Sequence, residues 1–97
     1  MTVGVCRLAL RMPGNQSLKD KRQIVRSVLE RVRHRFNVSA AEVGENDQWR
    51  TAALGFCCVS NERRRVDETI AKLVAYIEGS RPDAEIVECE TEVVEAL

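Results

Sequence analysis

Ninety-seven residues are enough for one domain with a single modest core and too few for two. A chain that is 44% hydrophobic and 31% charged is globular rather than disordered, and an aromatic content of 4% leaves little with which to line a large aromatic pocket. Fifteen Lys plus Arg balance fifteen Asp plus Glu, which argues against a protein that coats itself in nucleic acid by bulk charge.

From Val3 to Met12 the chain alternates, with Gly4, Cys6, Leu8, Leu10 and Met12 on one face and Val3, Val5, Arg7, Ala9 and Arg11 on the other, the period of a strand. Pro13 and Gly14 break it. Ser17 followed by Asp20 reads as a helix N-cap with an acidic residue at the third helical position, so a helix begins at about Leu18. Its apolar positions Leu18, Val25, Val28, Leu29, Val32 and Phe36 recur at helical spacing. Asn37 to Val43 reads as a short strand, Gly44 to Arg50 as a polar connection, and Ala53 to Ser60 as a strand apolar enough for the sheet interior, the two strands pairing as a hairpin.

Asn61 is expected to cap a second helix, with Glu62 in its first turn, Val66, Ile70, Leu73 and Ile77 as its apolar stripe and Gly79 as its stop. After the Arg81-Pro82-Asp83 turn, Val87, Cys89, Thr91 and Val93 alternate with Glu88, Glu90, Glu92 and Val94, giving a last strand with one acidic face. The order βαββαβ predicts a single α+β domain over residues 1–97. Its most economical topology is a ferredoxin-like two-layer sandwich, a four-stranded antiparallel sheet with both helices on one face.

Arg7 and Arg11 interrupt the N-terminal apolar stretch, so it does not read as a signal peptide, and the apolar run from Thr51 to Ser60 is half of what spans a bilayer. A cytoplasmic chain with no membrane contact is expected. Cys6, Cys57, Cys58 and Cys89 lie in apolar alternating stretches without metal-type spacing, and the adjacent Cys57 and Cys58 must point to opposite faces of a strand. They read as buried free thiols, with no metal and no cofactor implied.

Charge is divided along the chain. Met1 to Arg50 holds ten Lys or Arg against five Asp or Glu and Thr51 to Leu97 the reverse, so the halves carry +5 and −5. At 100° per residue Lys19, Arg22, Arg26 and Arg33 fall within about 60° of one another on one flank of the first helix, a basic row roughly 20 Å long that suits several backbone phosphates. A solvated face with snorkelling arginines is the plain alternative, and acids of the second half can neutralise the row within the fold. Lys21 falls instead within the apolar stripe. With the Ser17 cap, Lys19 and Arg22 it surrounds a helix N-terminus that favours an anion; its alternative is a pair with a carboxylate at a strand end. The preceding Pro13-Gly14-Asn15-Gln16 loop lacks the glycine spacing of a nucleotide-binding P-loop.

The sheet face away from the helices should show Val3, Val5, Ala9, Ala53, Gly55, Cys57 and Val59. No strand aromatic is present for base stacking there, and a bare apolar face invites a cover, a second copy of the chain being the simplest. The alternative is a small, partly exposed face whose Arg7 and Arg11 pair across strands with Glu88, Glu90 or Glu92. Trp49, beside Arg50 in the hairpin connection, reads as a partner anchor or as a lid folded over an open core edge. His34 projects from the polar face of the first helix, and no Ser/His/Asp set or Cys/His pair is present, so no catalytic residue is assigned and a non-enzymatic protein is expected.

The residues Pro13-Gly14, Ser17-Leu18-Lys19, Lys21-Arg22, Arg35-Phe36-Asn37-Val38-Ser39, Glu42-Val43-Gly44, Asp47, Trp49 and Ser60-Asn61 together resemble the YlxP-like family of small bacterial proteins, over nearly the whole chain. The resemblance implies a ferredoxin-like fold. It also implies a gene setting near transcription, translation-initiation or ribosome-maturation factors, and hence RNA or ribosome association; the family carries no active site to transfer. Two expectations follow. One is a module that contacts structured RNA or a ribosomal subunit through Ser17, Lys19, Lys21, Arg22, Arg26 and Arg33, with no DNA sequence readout. The other is a homodimeric protein-interaction module that uses the outer sheet face.

Overall fold

The computed structural model describes residues 1–44 and 48–97. The elements are β1 (Thr2–Arg11), α1 (Leu18–Arg35), β2 (Ser39–Val43), β3 (Thr51–Ser60), α2 (Arg63–Ser80) and β4 (Glu85–Glu95). The strands form one antiparallel sheet in the order β2-β3-β1-β4, and both helices lie on one face, which is the ferredoxin-like α+β fold.

Alternation in β1 decides the layering. Cys6, Leu8 and Leu10 face the helices and are fully or almost fully buried. Their neighbours on β3 by register are Phe56, Leu54 and Ala52, also buried, and α1 adds Val25, Val28 and Val32 while α2 adds Leu73 and Ile77. Burial of this aliphatic surface is the main drive for the fold. At Gly4 α2 approaches the sheet closely: a Cβ there would stand 2.3 Å from Val66 Cγ1.

The opposite face is ordered by register into rows. Val59, Val3 and Val94 form one, Cys57, Val5 and Glu92 the next, and Gly55, Arg7 and Glu90 a third. Arg11 is ion-paired, but with Glu85 rather than with Glu88, Glu90 or Glu92. The reason is an irregularity between Ala9 and Leu10, which shifts the register so that Ala9 faces Glu88 while Leu10 faces Ile86 and Arg11 faces Glu85.

Two helix boundaries differ from the sequence pattern. Asn61 is not the cap of α2; Glu62 is, without a side-chain cap bond, because the Ser60 hydroxyl accepts the Glu62 N–H at 3.1 Å and holds the entering turn one residue longer. Gly79 does not stop α2, which runs on through Ser80. The stop comes from Pro82, which disfavours helical backbone at Arg81; that residue is extended and its guanidinium is held by Asp83 at 2.8 and 2.7 Å. Of the cysteines, Cys6 and Cys58 are buried, Cys57 is half-buried on the outer face and Cys89 is exposed, so burial holds for two rather than four. No helix among the described residues is long and apolar enough to cross a membrane.

Candidate nucleic-acid interface

The first turn of α1 is fastened from both sides. Ser17 Oγ accepts the Asp20 N–H at 3.1 Å and Asp20 Oδ2 accepts the Gln16 N–H at 2.9 Å, a reciprocal cap that fixes where the helix starts. Ser17 thus serves the helix end itself.

Lys21 does not join the exposed row. It is 2% exposed, and its Nζ lies 3.1 Å from Glu42 Oε2 on β2. Its place inside the apolar stripe carries the side chain beneath the helix towards the edge strand, so the anion beside it is a carboxylate of the chain itself. Lys19, Arg22 and Arg26 are exposed, and none of the three enters an ion pair among the described residues. Arg33 is exposed as well and donates to the Ala40 carbonyl of β2. That bond places the cationic flank of α1 over the β2 edge of the sheet. On the other side of the helix Arg35 lies 4.5 Å over the Tyr76 ring of α2.

The sheet order decides whether acids neutralise the row. Glu85, Glu88, Glu90, Glu92 and Glu95 all belong to β4, the edge opposite β2, with β1 and β3 between. The β4 carboxylates therefore stand at the edge away from the α1 flank, with Arg7 and Arg11 of β1 as the cations beside them. Three strand spacings put the two edges roughly 14 Å apart, beyond a Debye length of about 8 Å, so screening weakens their mutual neutralisation.

The loop before α1 is tied down by contacts the sequence did not announce. Asn15, 5% exposed, donates from Nδ2 to the Trp49 carbonyl at 2.9 Å, and Arg50 Nε donates back to the Asn15 carbonyl at 3.0 Å. Arg50 thus clamps two loops together. The Trp49 side chain is not a lid over the core: the residue is 48% exposed, beside this clamp. Asp47, another residue of the family pattern, lies outside the described residues. His34 is exposed on α1.

A cavity the sequence did not reveal lies at the far end of the sandwich, about 370 Å³ in volume, where Arg35, Arg65 and Lys72 converge. These residues come from two helices, and no spacing in the chain links the first with the other two.

A family profile described as a protein of unknown function, DUF503, matches residues 3–91. The chain is also 36% identical over 63 residues, 65% of its own length and 68% of the relative's, to the uncharacterized protein YlxP of Bacillus subtilis (strain 168). With nearly the full length matched and the fold as expected, the chain belongs to the DUF503 family of proteins of unknown function.

Proposed function

We propose that the protein is a cytoplasmic, non-enzymatic module that binds structured RNA, with a ribosomal subunit as the first candidate. The observation that carries this reading is the exposed flank of Lys19, Arg22, Arg26 and Arg33, set over the β2 edge while the carboxylates of β4 occupy the opposite edge. By helical rise the row extends roughly 20 Å, several phosphate spacings. The cations bind through charge and reach little of any base edge, so affinity is broad and salt-sensitive. Trp49 offers one exposed ring for stacking or for a protein surface.

The test compares binding to purified ribosomal RNA and small subunits by wild type, by a Lys19→Glu/Arg22→Glu/Arg26→Glu variant and by an Arg63→Glu/Arg64→Glu control on α2. Loss in the first variant with retention in the control supports the assignment. Equal binding by all three proteins contradicts it.

A second reading concerns the outer sheet face, and the row Val59, Val3 and Val94 beside Val5 favours it. Val59 is 63% exposed, Val94 47% and Val5 41%, a contiguous apolar corner that a second copy of the chain would cover. The exposed Arg7 of β1 and the Glu90 and Glu92 of β4 give such a face both signs of charge for pairing across a two-fold axis. Light scattering of wild type and Val59→Glu distinguishes the cases: a dimer dissociated by the substitution supports the interface, and a monomeric wild type rejects it. The α1 flank and this face are separate surfaces, so the two readings are compatible.

A further inference from the structure

The cavity between the end of α1 and the start of α2 lies apart from the α1 flank and shares only Val59 with the outer sheet face. Three cations from well-separated parts of the chain line it, namely Arg35 closing α1, Arg65 in the first turn of α2 and Lys72 two turns further on. Each keeps capacity for an external anion. Arg35, its guanidinium carbon 4.5 Å from the centre of the Tyr76 ring, enters no ion pair among the described residues. Arg65 meets Glu62 at 3.6 Å with both side chains half or more exposed, at 69% and 50%, a pair that exchanges readily. Lys72 enters no ion pair among the described residues. Glu68, the one acid of the wall among the described residues, is turned to Arg64 at 3.8 Å.

The remaining wall is of two kinds. Asn37 and Ser60 add polar groups, and the half-buried Phe36 gives an apolar side. Two of the blocks on which the family resemblance rests, Arg35-Phe36-Asn37 and Ser60-Asn61, are brought together here although 24 positions separate Phe36 from Ser60. The positive end of α2, whose N-cap Glu62 makes no side-chain cap bond, adjoins the same wall.

A volume of about 370 Å³ exceeds what an inorganic anion fills and lies in the range of small-molecule sites. A ligand that matches both walls carries a phosphate for the guanidinium and ammonium groups and a flat apolar ring for Phe36. We propose that this cavity binds a nucleotide, with its phosphate held by Arg65 and Lys72 and its base against Phe36. The site is separate from the α1 flank and does not depend on it. The nucleotide is either free or an unpaired terminal residue of an RNA, and the chemistry of recognition is the same.

The test is a nitrogen-15 NMR titration of the full chain with adenosine and guanosine monophosphate, with inorganic phosphate and with a 5′-phosphorylated trinucleotide. The mononucleotides should shift the amides of Phe36, Asn37, Ser60 and Thr69. Lys72→Glu and Arg65→Glu, both at exposed positions, should each weaken binding about tenfold or more with the rest of the spectrum unchanged. The α1 charge reversal should leave these shifts intact, so that failure of the RNA reading and failure of this one are told apart. A trinucleotide that binds more tightly than the mononucleotide identifies an RNA end, and one that binds no more tightly identifies a free nucleotide. The proposal is overturned by absence of shifts around the cavity, by shifts indifferent to both charge reversals, or by inorganic phosphate binding as tightly as the nucleotides.

Discussion

Lys21 Nζ stands 3.1 Å from Glu42 Oε2, joining the first turn of α1 to the edge strand β2 through a lysine that is 2% exposed. The Glu42 side chain keeps 23% exposure, so the two partners are unequal in what their loss leaves behind. Removing Glu42 leaves a buried ammonium without this carboxylate, whereas removing Lys21 leaves a carboxylate whose Oε2 is buried but whose side chain is still partly exposed.

Glu42→Ala is therefore expected to destabilise the fold by about 3 kcal/mol, and Lys21→Met by clearly less. The double variant Lys21→Met/Glu42→Leu should recover most of the loss, because two apolar groups replace the pair. Denaturant unfolding of the three proteins checks this; equal losses for both single variants would contradict the asymmetry.

Gly4 is required by packing. An added Cβ would meet Val66 Cγ1 at 2.3 Å and Ile70 Cδ1 at 2.9 Å, so Gly4→Ala forces these side chains to repack or α2 to move away from the sheet. A loss of about 1–3 kcal/mol is expected in thermal or denaturant unfolding, whereas Gly14→Ala, which meets nothing within 4 Å, should stay near neutral.

The thiols should separate by burial and by pH. Burial first, and then the neighbouring Cys89, pushes the Cys6 thiol up to about 12 from 9.0, and burial raises Cys58 as well. At neutral pH an alkylating reagent should modify exposed Cys89 first, then Cys57, and reach Cys6 and Cys58 only on unfolding. Because the folded state holds the Cys6 proton more tightly than the unfolded state, this contribution to stability is complete below pH 9.0 and is lost as pH rises towards 12. Unfolding curves across that interval should show the decline, and Cys6→Ala should shrink it. An unaltered alkaline slope in Cys6→Ala would contradict the assignment.

What the sequence disclosed is local. Alternation in β1 and the Ser17 cap fix the layering and the start of α1 within a few neighbouring residues, so they can be read without the fold. The α2 boundaries were misplaced because the Ser60 hydroxyl and Pro82 compete with the Asn61 and Gly79 signals, and the outcome depends on the turn geometry around them. The partner of Lys21 was legible only as a class: its angle inside the apolar stripe indicated burial, but Glu42 becomes its neighbour only when β2 packs beneath α1. The same holds for the cavity of Arg35, Arg65 and Lys72. The charge division was visible in the chain, yet its meaning depends on the sheet order, which sends β2 and β4 to opposite edges.

The most direct test of the central claim is the salt dependence of binding to structured ribosomal RNA, for wild type and for Lys19→Glu/Arg22→Glu/Arg26→Glu. If phosphates contact this flank, wild type should bind with a steep negative slope of log affinity against log salt, and the variant should bind more weakly with a slope shallower by about 2–3. Equal affinity and equal slope in the two proteins would contradict the account and reduce the row to a solvated helix face.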